Sequence, residues 1–195
     1  MTRVARFRLG WFAAAAILVV ALALLLPRDG GPMALFAVAV VLLLPGRIMR
    51  TFYRDMLAGR RLMAQGKYEK SAEFSRRFLE TIRERPGLKR VMWLSWPGKT
   101  ADAEAMVLNN LAAAEIELGE WDAASGHLAD AIEIDPEYSV PRVNLALLAA
   151  IRGDREQAER LLAQATSLGY ARSRIEPILK HGDELRARYA PAASA

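Results

Sequence analysis

Two kinds of apolar pattern divide this chain. Leu9 to Pro27 is an uncharged, almost wholly apolar run of 19 residues, and Pro32 to Gly46 is a second of 15. The polar turn Arg28-Asp29-Gly30-Gly31 separates them. As helices they would measure roughly 28 Å and 22 Å, against about 30 Å of bilayer hydrocarbon. Beyond residue 50 apolar positions recur with helical spacing instead. Thr51 to Gln65 reads as one helix, Gly66-Lys67-Tyr68 as a turn, and Tyr68, Ser71, Phe74 and Phe78 as a helix running toward Arg85. Leu108, Leu111, Ala112 and Glu115 mark a further helix that Gly119 closes, where a left-handed residue is cheap. Ala124, Leu128 and Ala131 stripe the next one, and Asp135-Pro136 stops it, because the residue before proline is pushed out of the α region. Ser173 and Glu176 have capping-box spacing and open a terminal helix to about Tyr189. The pattern predicts an all-α protein.

A fixed repeat lies inside the second pattern. Asn110, Leu111, Ala112, Gly119, Ala124, Leu128 and Ala131 recur as Asn144, Leu145, Ala146, Gly153, Ala158, Leu162 and Ala165, every pair 34 residues apart. Small residues at Ala112, Ala124 and Ala131 allow two helices to approach closely, and the leucines fill the space between them. One such hairpin cannot bury its own apolar face, so neighbours must stack. A period of 34 residues is that of the tetratricopeptide helix–turn–helix, and residues 103–170 resemble two units of that family. Gly66 precedes Gly119 by 53 residues, so a degenerate first unit over 50–85 is separated from them by a 19-residue insertion. Glu115 stands where the family usually has an aromatic residue, Arg142 where a large apolar one is common, and Tyr170 in place of the terminal proline.

The resemblance implies an α-solenoid and a noncatalytic binding scaffold. It implies that Asn110 and Asn144 line a concave groove, where an asparagine in some members bonds a peptide backbone. On the same side fall Asn109, Val140, Val143 and Leu147, joined from the first unit by Tyr53, Met56 and Arg60. The basic clusters of a strong carboxylate clamp are missing.

The expected organisation is a basic flank over 1–8, a transmembrane hairpin over 9–49 with spans of about 9–27 and 32–49, and the first unit. A tryptophan-containing insert over 86–102, the two repeats, a helix over 171–190 capping the solenoid and a disordered tail over 191–195 follow. Arg3, Arg6 and Arg8 precede the first span, and Arg47, Arg50, Arg54, Arg60 and Arg61 follow the second. By the positive-inside rule both ends face the cytoplasm, giving an integral protein of a bacterial inner membrane. Two rival readings stay open. Ala21-Leu22-Ala23 is a nominal signal-peptide cleavage triplet, though it lies within the apolar run. The second run, shorter and ending in Pro45-Gly46, also suits an interfacial or re-entrant helix.

Charge is arranged in blocks. Arg47 to Lys99 carries 14 basic and 5 acidic residues, whereas Thr100 to Pro141 has ten acids and no Lys or Arg. The basic block suits anionic lipid heads at Arg47, Arg50 and Arg54. The acidic block is either a solvated face or a steering field for a basic partner. An overall +5 so distributed gives no nucleic-acid footprint. Trp93 and Trp96, in a basic setting, fit a membrane interface, a small satellite core or a partner contact. Gly98-Lys99-Thr100 is not a phosphate loop, since Trp93 stands where that motif needs glycine. His127 and His181 lack metal-ligand spacing, and no nucleophile, base and oxyanion donor assemble. The expectation is a membrane-anchored scaffold for a protein or peptide partner, with no cofactor. The alternative is a structural subunit of a membrane complex assembled through its hairpin.

Overall fold

A computed structural model describes residues 3–25, 36, 39–40, 43, 46–48, 50–91, 100, 102–171 and 174–190. Among these residues every regular element is a helix. The elements are α1 (Arg3–Leu25), α2 (Arg54–Ala64), α3 (Tyr68–Glu84), α4 (Gly87–Val91), α5 (Ala103–Leu118), α6 (Trp121–Ile134), α7 (Val140–Ile151), α8 (Arg155–Ser167) and α9 (Glu176–Tyr189).

Three hairpins stack in series. α2 packs on α3, α5 on α6 and α7 on α8, while α3 also packs on α5 and α6 on α7. Each hairpin turns on a glycine with positive φ: Gly66 at 71°, Gly119 at 80° and Gly153 at 82°. An L side chain rarely adopts that conformation, which is why the turns carry glycine. The apolar stripes explain the packing. α3 buries Ser71, Ala72, Ser75, Phe78, Leu79 and Ile82, one face at helical spacing. α6 buries Ala124, Leu128 and Ala131, and α8 buries the residues 34 positions on, Ala158, Leu162 and Ala165. α5 is buried nearly all round because α3, α6 and α7 all lie against it. Its start is capped by Asp102, whose carboxylate accepts from the backbone N–H of Glu104 at 2.9 Å and of Ala105 at 3.1 Å. Such a cap contributes about 1 kcal/mol. The core accordingly forms three clusters in sequence along the stack, as expected where each unit meets only its neighbours.

Two elements differ from the sequence expectation. The helix leaving residue 50 is broken at Tyr53, a turn residue, before α2 begins. α9 starts at Glu176 with Ile175 at its N-cap and no side-chain cap, and Ser173 lies outside the described residues. α9 also packs chiefly on α7, across the first helices of the units, and not on the final helix α8 as an end cap would.

Among the described residues no helix is long and apolar enough to cross a membrane. Leu9, Phe12, Ile17, Leu18 and Val20 on α1 are exposed. The turn over 28–31 and most of 32–49 lie outside the described residues, as do Trp93, Trp96 and the tail over 191–195.

Candidate partner-binding groove

The first helices of the three hairpins, α2, α5 and α7, carry one face in register. Asn110 on α5 corresponds to Asn144 on α7, and Ile116 and Glu117 correspond to Ala150 and Ile151. With the 53-residue offset of the first unit, the matching α2 residues are Met63 and Ala64. This face holds most of the residues that the sequence singles out, but they have separate fates.

Asn109 and Asn144 bond each other. The Asn144 Nδ2 donates to Asn109 Oδ1 at 2.9 Å, and Asn109 is buried. The pair clasps α5 to α7 and has its strongest donor and acceptor already engaged. Asn110 does not share this arrangement. Its Nδ2 is buried without a hydrogen-bond partner. An unpaired buried amide costs about 1–3 kcal/mol, so it is a place where a ligand acceptor or a water would be welcomed. Asn110 lines a cavity of about 230 Å³ together with Arg60, Met63, Ala64, Ser71 and Ala113. Arg60 and Asn110, 50 residues apart in sequence, are thus brought together in the lining of one opening.

The polar environment of this opening is defined by buried neighbours. Ser71 Oγ donates to the Gly59 carbonyl at 2.9 Å where α2 and α3 come close together. Burial pushes the Tyr138 phenol well up, opposed by the charge of Arg60 and reinforced by that of Asp135, so Tyr138 stays protonated. Val140, Val143 and Leu147 are half-buried along α7, with Val140 packed on the first core cluster and Leu147 on the second.

Tyr53 and Met56 do not belong to the groove surface. Tyr53 has 0% exposure, donates its hydroxyl to the Leu88 carbonyl at 3.0 Å and packs its ring 5.1 Å from that of Phe78. Met56 is buried in the same cluster. A residue without accessible surface gives a partner nothing to touch, and the turn at Tyr53 is what directs the ring inward. Arg47, Arg50 and Arg54 are exposed, with Arg54 Nε 3.5 Å from Asp55 Oδ1.

Three glutamates on α5 organise polar contacts that sequence spacing did not assign. Glu104 is held by Arg83 Nε at 2.8 Å and by Lys89. Burial alone would raise its pKa, but the hydrogen bonds and charges of Lys89 and Arg83 outweigh burial and hold it below the ordinary carboxylate value. Glu115, 1% exposed, meets Arg76 Nη2 at 3.2 Å and His127 Nδ1 at 2.7 Å, joining α3, α5 and α6. This ion pair replaces the aromatic residue usual there in the family that the repeat resembles. Glu117 faces the other way, toward α9. His181 Nε2 lies 2.7 Å from its Oε1 and Arg188 Nη1 3.6 Å from its Oε2. Tyr68, at the start of α3, faces the same carboxylate, and burial followed by the Glu117 charge pushes its phenol up. The available signal was three acids on an otherwise uncharged helix, Ala103 to Leu118.

A second cavity of about 370 Å³ opens between α6, α7 and α8, bounded by Ser125, Leu145, Arg152 and Leu161 among others. Among the described residues no group of three or more His, Asp or Glu could hold a metal ion. No family model matches this chain, and no curated protein matches it either.

Proposed function

We propose that this chain is a membrane-attached, tetratricopeptide-like scaffold that holds a protein or peptide partner in the groove formed by α2, α5 and α7. One observation carries the reading. The 34-residue register places equivalent positions of successive hairpins on a single face, and that face holds a cavity with the unpaired Asn110 amide and Arg60 at its wall. The function is noncatalytic. Residues 9–49 act as a hairpin anchor with the repeats on the cytoplasmic side, because Arg3, Arg6 and Arg8 precede it and Arg47, Arg50 and Arg54 follow it. Anchoring raises the local concentration of partner and scaffold at the membrane.

The test is a membrane-fraction pull-down comparing the intact chain with Asn110→Ala and Arg60→Ala, each first shown to be folded by circular dichroism. A partner retained by the intact chain and lost from both variants supports the groove.

A second reading has an observation of its own. Leu9, Phe12, Ile17, Leu18 and Val20 on α1 are exposed. They suit packing against other spans in a membrane complex, with the repeats as structural ballast. Partners unaffected by the groove variants but lost on substitution of the α1 face favour that reading.

A further inference from the structure

α9 lies where a groove ligand would lie. The residues beneath it repeat at the period of the units: Ile116 and Glu117 in one hairpin, Ala150 and Ile151 in the next. Leu185 is buried in one cluster with Ile116, Leu148 and Ile151. Gly182 sits so close to α7 that a Cβ there would be 2.8 Å from the Ala150 Cβ. Arg186 donates from Nε to the Ile151 carbonyl and from Nη2 to the Ala150 carbonyl, both at 2.6 Å, at the end of α7, where Ala150 also accepts from the Gly153 N–H. His181 and Arg188 meet Glu117, and the Tyr189 hydroxyl donates to the Glu117 carbonyl at 2.6 Å.

The third pair in that register, Met63 and Ala64, is not covered by α9. It lines the open cavity beside Arg60 and Asn110. Among the described residues α9 therefore fills two units of a three-unit track and reaches only Tyr68 of the first, leaving its cavity open.

α9 is also a surface helix of the stack. It buries only Gly182 and Leu185, whereas α5 buries twelve residues. Its backbone hydrogen bonds are its own, so it can leave as one unit. On leaving it would bare Ile116, Leu148 and Ile151, an apolar strip with the Glu117 carboxylate beside it.

We propose that α9 is a resident occupant of the groove, and that the partner is an amphipathic helix of α9's own chemistry that enters at the open first unit and replaces it. Such a helix carries a leucine on its buried face, a small residue one turn before it, and a histidine or arginine positioned for Glu117. The proposal rests on the scaffold reading above and names its partner class.

The test uses a fluorescent peptide of residues 174–190 as probe, titrated by anisotropy into the full chain and into Leu185→Ala, with amide exchange followed in parallel. In the intact chain α9 should exchange faster than α5 to α8. Leu185→Ala should accelerate α9 exchange further and bind the peptide at least tenfold more tightly than the intact chain, and adding Glu117→Ala should remove that gain. α9 amides protected as strongly as those of α7 would make it a permanent part of the core and overturn the proposal. Loosened α9 without peptide binding, or equal binding to both chains, would overturn it as well. A dimer by light scattering with exchanged α9 would make the occupant a second copy and contradict the partner assigned here. None of these failures touches partner capture at Arg60 and Asn110, which tests the scaffold itself.

Discussion

His181 Nε2 lies 2.7 Å from Glu117 Oε1, a contact between side chains 64 residues apart that ties the last helix to the middle of the stack. Glu117 is nearly buried, and Arg188, Tyr68 and the Tyr189 hydroxyl gather at the same residue. The Glu117 carboxylate is bonded by His181 through Oε1, while its buried Oε2 has no hydrogen-bond partner and is offset by the Arg188 charge 3.6 Å away. The apolar contacts of Ile178, Leu179 and Leu185 interleave with these polar ones along α9.

Glu117→Ala should weaken α9 selectively. With His181 and Arg188 both partly exposed, the loss is about 1–2 kcal/mol. Amide exchange in residues 176–189 should rise while exchange in α5 and α6 changes little.

The glycine turns give a paired test. Gly119→Ala places a Cβ at φ 80° and 2.9 Å from the Tyr189 ring, and should cost about 1–3 kcal/mol by urea denaturation. Gly126→Ala, in the middle of α6 with nothing within 4 Å, should stabilise by about 0.5–1 kcal/mol.

These turns were legible in the sequence because a positive φ has a short list of tolerant residues, and Gly66, Gly119 and Gly153 announce it at fixed spacing. The helical class was legible for the same kind of reason, since Ala124, Leu128 and Ala131 and their copies on α8 can face one way only on a helix. The side-chain pairings were not. Asn109 and Asn110 are adjacent and chemically identical, and only the approach of α7 decides that Asn109 meets Asn144 while Asn110 is left facing the cavity. Tyr53 reads as a groove residue of the first unit until the break before α2 turns it into the core. Where α9 lies depends on contacts across 35 to 72 residues, which no local spacing encodes.

Glu104 should make stability depend on acid pH. Its folded pKa is lowered below the ordinary 4.5, so its contribution is present above that value and is lost as pH falls through the folded pKa. Urea midpoints of the intact chain should fall more steeply below pH 4.5 than those of Glu104→Gln, which cannot titrate there.

Leu128→Ala should cost about 2–5 kcal/mol, because Leu128 has 0% exposure between two hairpins. Leu162→Ala, the equivalent change on the final hairpin helix α8, should cost less, since that site is 6% exposed and has fewer layers around it to hold a cavity open. Chemical denaturation of the two variants side by side checks the order.

The most direct measurement of the scaffold claim is site-specific photo-crosslinking in intact membranes. One chain would carry a photoreactive amino acid in place of Ala64, an exposed residue at the rim of the cavity, and another would carry it in place of the exposed Glu159 on α8. The groove account predicts a discrete protein adduct from position 64 that disappears when Asn110→Ala is added, and none from position 159. Adducts from position 159 alone, or an adduct at 64 that is indifferent to Asn110→Ala, would contradict it and move the working surface of this protein elsewhere.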